Sequence, residues 1–544
     1  MKSIGRYISW LWHNSKGARS AILLNIMLDV FSVGLNLYFI YASKQLIDIA
    51  TRVRTGSMTM ACVTLGILVV LRLVVNAFAA RLESNTSSRM SFIIRARLYN
   101  TILQSQWDGK EKMHSGDAVN RIFTDVDNVT RIITQEAPSL VSTLVQFAAA
   151  LWFLCSMDAR LGLLIILLTP AFIVLSRAFF RVMRDLTSDI RNKESGIQSL
   201  IQETLQHRTL VQSFELEEDM GEKLGGLQDA EMAVVRKRTT INVISRTLIS
   251  AAFNLGYLVA FLWGAAGIWK GSITFGTMTA FLQLVGQVQS PLMRLTRQIP
   301  SFVYAASSID RLTELEDAPK ENLGEPVKLD SVPGVRIENL SFSYPDDECK
   351  VFDDFSYEFA PGSRTAILGE TGVGKSTLIR LLLSLLRPDN GLLTLFTQNG
   401  NAPISERTRC NFVYVPQGNT LFSGTIRDNL LMGNPDATDE RLFEVLGIAA
   451  ADFVQKLPEG LDTVCGEKGS GLSEGQAQRI AIARGLLRPG GILLLDEFSS
   501  SLDSETERRL MENLSRSHIG KTMIFITHRE MIASYCDNIL KLER

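Results

Sequence analysis

The sequence predicts an α-helical membrane domain followed by a separate α/β domain. With 544 residues, the chain is too long for one ordinary domain. Before about Lys320 it carries apolar runs near 20 residues long, which is the length of a helix that spans a membrane. After that residue the apolar runs shorten to strand length and alternate with helical patterns, as in an α/β domain with a mostly parallel sheet.

Six segments of the first part are long and apolar enough to cross a bilayer. They cover residues 21–41, 59–80, 137–156, 161–180, 248–268 and 275–295. The sixth is the weakest, because Gln283, Gln287 and Gln289 interrupt it. A buried soluble helical bundle is the alternative interpretation, but six such runs within 320 residues disfavour it.

Basic residues predict the orientation of these spans. The segments between spans two and three and between spans four and five are about 55 and 60 residues long and rich in Lys and Arg, whereas the alternate loops are short and hold few. Both termini are therefore expected in the cytoplasm of a multi-pass protein of the cell inner (plasma) membrane. The long segments lack Pro and Gly clusters, so we expect them to continue the spanning helices into the cytoplasm, each pair joined by a short turn.

Polar residues within the spans leave two questions open. Asp29 and Arg72 lie about nine and eight residues from the cytoplasmic ends of their spans, so their depths agree within about 2 Å. A lone charge at such a depth costs at least about 2.5–3.5 kcal/mol, so either the two form an ion pair or each faces an aqueous cavity separately. Gln283 and Gln287, one helical turn apart, either line that cavity or form hydrogen bonds between helices.

The second part begins after a polar stretch that contains three prolines and is typical of a linker. The predicted domains are residues 1–318 and 334–544, with residues 319–333 as the linker. Strands are predicted at 335–344, 364–368, 411–415, 491–495 and 521–526, and helices at 376–386 and 474–487. No stretch of the chain is basic enough to indicate nucleic acid as a partner.

A glycine-rich motif follows the strand at 364–368 and precedes a helix, which is the setting of a phosphate-binding P-loop. It consists of Gly369, Glu370, Thr371, Gly372, Val373, Gly374, Lys375 and Ser376. Glycines let the backbone wrap closely around phosphate, and a helix N-terminus offers free N–H groups. We expect ATP here, with Lys375 on its β- and γ-phosphates, Ser376 on Mg²⁺, and Thr377 in the same site. A glycine turn without nucleotide is the minor alternative.

Two acidic residues follow the buried aliphatic strand predicted at 491–495. They are Asp496 and Glu497, and the carboxyl end of a strand is where ligands bind in open α/β sheets. Asp496 suits a Mg²⁺ ligand, and Glu497 suits a general base that orients and deprotonates the attacking water.

Between these two motifs, the run Leu472, Ser473, Glu474, Gly475, Gln476 resembles the signature sequence of ATP-binding cassette (ABC) proteins. With the six spans, nearly the whole chain resembles an ABC exporter half-transporter. The resemblance implies that Ser473, Gly475 and Gln476 serve an ATP site shared with a second subunit. Glu474 stands where the family commonly has Gly, and we expect its side chain to point away from phosphate.

The resemblance implies further roles. Tyr344 would stack on adenine, although it could also be an ordinary tyrosine at a strand end. Gln417 would contact Mg²⁺ and sense the membrane domain, and His528 would contact the γ-phosphate. The loop of Ser500, Ser501, Leu502 and Asp503 would cross to the partner subunit. Residues 116–126 and 214–218 resemble the two coupling loops that dock on the nucleotide-binding domains.

The function implied is ATP-driven export of a hydrophobic or amphipathic substrate, such as a lipid, a peptide or a drug, by alternating access. ATP would be hydrolysed at two composite sites of a dimer in contact with membrane lipid. A homodimer is the simplest assembly, and a heterodimer is the alternative. Rival classes are an ATP-gated channel or regulatory subunit on the same architecture, and a soluble ABC ATPase of DNA repair or translation. Glu497 and His528 favour a pump, and the spans disfavour the soluble class.

Overall fold

The computed structural model describes residues 2–106, 115–322, 324–344, 349–370, 372–466, 471–517 and 520–543. Within them the chain divides into two compact units. The first contains the residues up to Asn100 and those from Ser115 to Asp317, and the second contains the others. The first unit is helical and the second is α/β, as the sequence predicts.

Long helices dominate the first unit. Two π-helical segments, Arg121–Asp125 and Ile132–Glu136, lie before α5 and α6. The helices are α1 (Lys2–Asn14), α2 (Arg19–Ala50), α3 (Met58–Leu103), α4 (Ser115–Asn120), α5 (Val126–Arg131), α6 (Ala137–Met157), α7 (Ala159–Gln206), α8 (Arg208–Ser213), α9 (Glu217–Trp269) and α10 (Phe275–Glu316).

Among the described residues, four helical stretches are long and apolar enough to cross a membrane: α2, α3, the run 116–157 and α9. They contain the first, second, third and fifth predicted spans. The fourth prediction falls in α7, where the side chains of 164–181 lie outside the described residues. The sixth falls in α10, which is not among the four, in keeping with the glutamines that interrupt it, so its crossing stays a prediction.

The three longest helices of the first unit extend well beyond the thickness of a bilayer. The helices α3, α7 and α9 have 46, 48 and 53 residues. At about 1.5 Å per residue each exceeds the roughly 30 Å of a hydrocarbon core about twofold. These lengths fit the prediction that the spans continue out of the membrane. The short helix α8 and a turn at Glu215, whose φ is +57°, connect α7 to α9. The predicted second coupling loop, residues 214–218, covers this turn and the first two residues of α9.

The predicted first coupling loop is tied to α10. Asp125, which is completely buried, accepts hydrogen bonds from Ser308 Oγ at 2.8 Å and from Arg311 Nε at 2.7 Å. Arg121 donates to Asp117 at 2.9 Å and to Glu314 at 2.8 Å. These charge-assisted bonds fix the turn between α4 and α5 against the last turns of α10.

Asp29 and Arg72 do not form the ion pair that their depths allow. Arg72 Nη1 instead donates to Asn36 Oδ1 at 2.9 Å. Asp29 and Arg72 both line one polar cavity of about 510 Å³ within the first unit. The prediction of a direct pair is therefore wrong, and the alternative in which each charge faces a cavity agrees with the structure. The physical reason is that α2 supplies Arg72 with a neutral partner, Asn36, and that both charges face the same polar cavity.

The two glutamines of the sixth predicted span differ. Gln287 lines this cavity and accepts a hydrogen bond from Gln146 Nε2 of α6 at 2.7 Å, so both interpretations of this residue hold together. Gln283 is exposed and is not among the described residues that line the cavity.

The second unit contains two main sheets. Its strands are β1 (Gly334–Phe342), β2 (Phe352–Phe359), β3 (Arg364–Leu368), β4 (Asn390–Thr397), β5 (Gly400–Pro403), β6 (Phe412–Val415), β7 (Gly424–Thr425), β8 (Val464–Cys465), β9 (Ile492–Asp496), β10 (Thr522–Ile526) and β11 (Asn538–Lys541). Its helices are α11 (Lys375–Leu382), α12 (Ile426–Leu431), α13 (Asp439–Ile448), α14 (Glu474–Leu487), α15 (Ser504–Arg516) and α16 (Glu530–Ala533).

The larger sheet is parallel, with the order β11-β3-β10-β9-β6. A second sheet, of order β2-β1-β4-β5, is antiparallel. The short strands β7 and β8 pair with each other. All five predicted strands exist, and β3 and α14 have the predicted bounds. The helix predicted at 376–386 ends early, at Leu382, because Ser384 has a φ of +52° and reverses the chain.

The predicted linker packs against the second unit rather than standing free of it. Glu321 forms an ion pair with Arg409 at 2.8 Å. The backbone of Val327 bonds to the carbonyl of Arg407 at 2.9 Å and accepts from Asn411 Nδ2 at 2.7 Å. These bonds hold the stretch before β1 in one place.

Candidate ATP-binding and hydrolysis site

The carboxyl ends of β3, β9 and β10 meet at one edge of the parallel sheet and build the site. Each of these strands is buried through most of its length. Leu368 leads into the glycine-rich motif, Asp496 ends β9, and His528 follows β10 by two residues. Parallel neighbours share one carboxyl edge, so residues far apart in sequence converge there.

The glycines of the motif are required by the space around them. Gly374 caps α11 with a φ of +103°, and a Cβ there would lie 2.6 Å from Val351 Cγ1. A Cβ on Gly369 would lie 2.7 Å from the carbonyl oxygen of Leu542. Gly372 also has a positive φ, +91°. The loop can therefore turn tightly into the N-terminus of α11, where its N–H groups suit an anion.

Lys375 is the first residue of α11, and its side chain folds back over the loop. Its Nζ donates to the carbonyl oxygens of Gly369 at 2.7 Å and Glu370 at 2.9 Å, and lies 3.2 Å from His528 Nε2. Burial lowers the pKa of this ammonium, which Glu497 and Asp496 partly oppose. An ammonium over the loop agrees with the prediction that Lys375 contacts phosphate, because phosphate oxygens could replace the carbonyl oxygens that it now bonds.

Glu497, Gln417 and His528 form a connected set. Gln417 Nε2 donates to Glu497 Oε2 at 2.9 Å, and His528 Nε2 lies 2.9 Å from Glu497 Oε1. Glu497 has a φ of +42°, which is strained for a residue with a side chain, and its N–H bonds to the carbonyl of Ile526 at 3.0 Å. Such strain at a functional position is held in place by surrounding contacts. The structure thus places the predicted base, switch histidine and glutamine in one cluster with Lys375.

Asp496 is buried next to this cluster and is held by one side-chain bond. Tyr414 of β6 donates its hydroxyl to Asp496 Oδ2 at 3.2 Å. Burial raises the pKa of Asp496, the Tyr414 bond lowers it, and Glu497 raises it further. Burial and the Asp496 charge raise the pKa of Tyr414, so this tyrosine stays a hydrogen-bond donor. Among the described residues no cation lies within hydrogen-bonding distance of this buried carboxylate. That environment fits a Mg²⁺ ligand, since Mg²⁺ prefers oxygen donors.

Tyr344 and Thr377 come together on the other side of α11. The Tyr344 hydroxyl lies 3.1 Å from Thr377 Oγ1, and Arg380 Nη1 donates to it at 3.3 Å. The ring also packs edge-on against Phe342, with ring centroids 5.1 Å apart. Tyr344 is partly buried and lies next to the P-loop helix α11. Its role in stacking on adenine stays a prediction.

The signature residues begin α14 and bond among themselves. Ser473 Oγ accepts from the Gln476 N–H at 3.2 Å, and the Ser473 N–H donates to Gln476 Oε1 at 2.9 Å, which is a capping box. A Cβ on Gly475 would lie 2.7 Å from the Ser501 carbonyl oxygen, so only glycine fits there. Glu474 is exposed in the first turn, where a negative charge suits the helix dipole.

The described P-loop residues and the signature residues are not joined by a hydrogen bond. The structure brings Lys375, Gln417, Glu497 and His528 together, with Asp496 adjoining them. Ser376 is exposed near the start of α11, and Val373 is half-buried. Thr371 lies outside the described residues.

Family models identify both units. The model described as ABC transporter transmembrane region matches residues 22–292, and the model described as ABC transporter matches residues 352–500. The chain belongs to the ABC transporter family. It combines the membrane region and the ATPase domain of an ABC exporter in one polypeptide, and its second unit is an ABC ATPase domain that binds ATP.

Relatives of this ABC transporter carry names of exporters. A Bacillus subtilis (strain 168) protein, provisionally named multidrug export ATP-binding/permease protein YgaD, is 26% identical over 99% of this chain and 94% of its own. The toxin RTX-III translocation ATP-binding protein of Actinobacillus pleuropneumoniae is 28% identical over 96% of this chain and 73% of its own. The solved structure of a bacterial Atm1-family ABC exporter with ATP bound has the same fold, with a TM-score of 0.80, 22% identity, and coverage of 96% of this chain and 94% of that one.

Two contributors to this ABC ATPase site were not assigned from the sequence. Tyr414 lies in the same run as Gln417, but only the pairing of β6 with β9 shows that its hydroxyl reaches Asp496. Arg529 follows His528, forms an ion pair with the buried Glu507 at 2.7 Å, and contacts the carbonyl of Leu502 at 3.5 Å. Arg529 thereby ties the His528 loop to the 500–503 loop.

Proposed function

We propose that this protein is an ATP-driven exporter that acts as a homodimer and moves its substrate by alternating access. Two composite sites would each combine the P-loop of one chain with the signature of the other. The protein would lie in the cell inner membrane with both termini in the cytoplasm. Its membrane domain would be residues 1–318 and its nucleotide-binding domain residues 334–544, joined by 319–333.

The observation that carries the proposal is the cluster around Glu497. A carboxylate held by Gln417 and His528, next to an ammonium on a P-loop, supports general-base hydrolysis of a nucleoside triphosphate. Retention of both Glu497 and His528 favours a pump over a gated channel. Because the signature residues bond among themselves and not with the P-loop of their own chain, a second chain is the natural source of the missing half.

Mg²⁺ would be held by Ser376, Gln417 and Asp496, whose hydroxyl, amide and carboxylate oxygens are the donors that this ion prefers. When bound, it would neutralise charge on the phosphates. The chain's own groups would do the rest: Lys375 would bind phosphate oxygens, and Glu497 would orient water and accept its proton. His528 would hold Glu497 in place and reach toward the γ-phosphate.

Replacement of Lys375 by Ala tests the proposal. We expect Lys375→Ala to abolish ATP hydrolysis by the protein in lipid nanodiscs and to weaken ATP binding, because the phosphates lose their nearest cation. Lys456→Ala is a matched control, since Lys456 is an exposed lysine in a different segment of the same unit. Hydrolysis is measured as phosphate release, and ATP binding by filter retention.

The membrane domain should stay folded in both variants, which thermal unfolding in the same nanodiscs checks. Near-normal turnover in Lys375→Ala would contradict the assignment of the site. Absence of ATP hydrolysis in the parent protein would contradict the pump and favour a regulatory subunit.

A further inference from the structure

The cavity that Asp29 and Arg72 line in the first unit is polar almost throughout. Its volume is about 510 Å³, which is within the usual range for small-molecule sites. Of its sixteen described lining residues only Val33 is apolar. Three of the helices that form it, α2, α3 and α6, belong to stretches apolar enough to cross a membrane, so this polarity is not a consequence of composition.

The polar residues recur at helical spacing. On α2 they are Asn25, Asp29, Ser32 and Asn36, three or four residues apart. Residues with this spacing lie on one face of a helix, so α2 presents a continuous polar stripe.

Three further helices present similar stripes to the same cavity. On α3 they include Arg72 and Asn76, and on α6 they include Ser142 and Gln146. On α10 the stripe includes Gln287, Ser290 and Arg294. Four separate helices therefore converge with their polar faces inward.

The opposite face of α2 is apolar and exposed. Leu23, Met27 and Phe31 are 61%, 68% and 52% exposed, as expected of side chains that face lipid. Polar and charged groups within a membrane are expensive and usually mark a functional site. The separation of the two faces favours a binding surface over an accidental gap.

Hydrogen bonds between helices hold the cavity wall. Ser32 Oγ donates to Asn76 Oδ1 at 2.8 Å, which joins α2 to α3. Gln146 Nε2 donates to Gln287 Oε1 at 2.7 Å, which joins α6 to α10. The site is thus preorganised by its own side chains.

Among the described residues of the wall, one buried oxygen atom makes no hydrogen bond with the protein. Asn25 is only 4% exposed, it lines the cavity, and its Oδ1 makes no hydrogen bond with the protein. A buried polar atom without a partner is costly, so it indicates a place where a ligand or water donates.

The cavity carries both signs of charge. Its acidic residues are Asp29, Glu83 and Glu136, and its basic residues are Arg72 and Arg294. The positive charge of Arg294 attracts the Asp29 carboxylate, whereas Glu83 repels it. A ligand that matches this wall needs a cationic group for the carboxylates and an anionic group for the arginines.

We propose that this cavity binds the exported substrate, and that the substrate presents a primary amine close to an anionic carboxylate or phosphate. This inference rests on the proposed export function and narrows its substrate class to zwitterionic molecules rather than apolar drugs. The same chemistry occurs in small peptides with free termini and in the headgroup of phosphatidylethanolamine. The test therefore includes one arm for each source.

The first arm uses a random tripeptide library with free termini, together with the same library N-acetylated, C-amidated, or blocked at both ends. Binding to the nanodisc-embedded protein is measured by mass spectrometry of retained peptides, and stimulation of ATPase activity is measured in parallel. The second arm compares phosphatidylglycerol nanodiscs that contain added phosphatidylethanolamine or phosphatidylcholine, whose methylated amine cannot donate a hydrogen bond. The dye Hoechst 33342, a mostly apolar cation without an anionic group, is the control ligand for both arms.

We expect free tripeptides or phosphatidylethanolamine to bind and stimulate at least about tenfold better than the blocked library, phosphatidylcholine or the dye, as the loss of charged hydrogen bonds requires. Arg294→Gln should remove the preference for a free carboxylate or phosphate, and Glu136→Gln should remove the preference for a free amine. Arg81→Gln, an exposed arginine of α3 that does not line the cavity, should keep both preferences.

Equal binding of free and doubly blocked ligands would overturn the proposal. So would preferences that survive both cavity variants, or a response to the dye alone. Because binding is measured without hydrolysis, a failure of the proposed function leaves this readout intact. If the parent hydrolyses ATP but no zwitterionic probe binds, the export function stands and the substrate class is wrong.

Discussion

Tyr414 in β6 and Gln417 just after it support two neighbouring acids. Gln417 donates to Glu497, and three residues earlier Tyr414 donates to Asp496. Both acids end one strand, and β6 pairs in register beside it. We expect Tyr414 to act as a positioning residue that keeps the Asp496 carboxylate oriented.

Replacement of Tyr414 by Phe tests this role. A hydrogen bond to a charged group contributes about 1.5–3 kcal/mol, so its loss should weaken the hold on Mg²⁺ about tenfold. We expect Tyr414→Phe to raise the Mg²⁺ concentration for half-maximal ATPase activity by that factor, with turnover at saturating Mg²⁺ close to the parent. Activity is measured as a function of free Mg²⁺.

Tyr535→Phe is the matched control, because this partly buried tyrosine packs on the core of the same unit. A Tyr414→Phe protein with an unchanged Mg²⁺ requirement would show that Tyr414 does not position Asp496. A change in turnover alone would also contradict the assignment.

The motif residues could be predicted individually, but their contacts could not. Lys375 and Glu497 were assigned because each belongs to a motif with a known chemical requirement. The strained backbone of Glu497 and the Tyr414 bond depend on strand register, which no local pattern reveals. Asp29 and Arg72 were matched by depth, yet depth along two helices does not determine rotation about them, so the direct pair was wrong.

At the scale of elements, the start of α14, which carries the signature, packs against the 500–503 loop. Its N-terminal residues form a capping box, and Gly475 faces the Ser501 carbonyl at a distance that leaves no room for a side chain. The helix position therefore depends on this one glycine.

Replacement of Gly475 by Ala should displace the start of α14. The added methyl would lie 2.7 Å from a backbone oxygen, which cannot move as a flexible side chain would. We expect Gly475→Ala to lose most ATPase activity while it retains ATP binding at the P-loop. ATP hydrolysis and nucleotide binding are measured on the same nanodisc preparation.

Gly400→Ala serves as the control, because a Cβ there meets nothing within 4 Å and its φ is not positive. That variant should keep parental activity. Full activity in Gly475→Ala would indicate that α14 can shift without consequence, and would remove the argument for the glycine.

Elements with strong local signals were predicted well, and the others were not. The bounds of β3 and α14 follow from a buried aliphatic run and a capping box. The antiparallel strands β2, β4 and β5 were missed because they are partly exposed, so none of them is a continuous buried aliphatic run. The end of α11 was misplaced because apolar residues continue past Leu382 although the backbone turns at Ser384.

At the scale of the molecule, each unit has its own task. The first unit provides a charged cavity between membrane helices, and the second provides a site for ATP hydrolysis. Each chain has one P-loop and one signature, so a homodimer would have two equivalent composite sites with closed symmetry. We propose that ATP joins two chains and that Glu497 ends this state by hydrolysis.

Replacement of Glu497 by Gln tests both parts of this proposal. The amide keeps the size of the carboxylate but cannot accept the proton of water, and general-base catalysis contributes about 10²–10⁴-fold. Glu370→Cys and Glu474→Cys place thiols on the P-loop and the signature, in a background with the exposed Cys62 and Cys349 changed to Ser. Bismaleimide crosslinking between chains and ATP hydrolysis are measured with Mg-ATP, with Glu459→Gln as a control.

We expect Glu497→Gln to crosslink more than the parent and the control, because ATP holds the two chains together when it is not hydrolysed. Hydrolysis should fall by at least about a hundredfold while ATP remains bound. Crosslinking no greater than that of the parent, or hydrolysis at a similar rate, would contradict the assignment of Glu497 as the base and the composite site built around it.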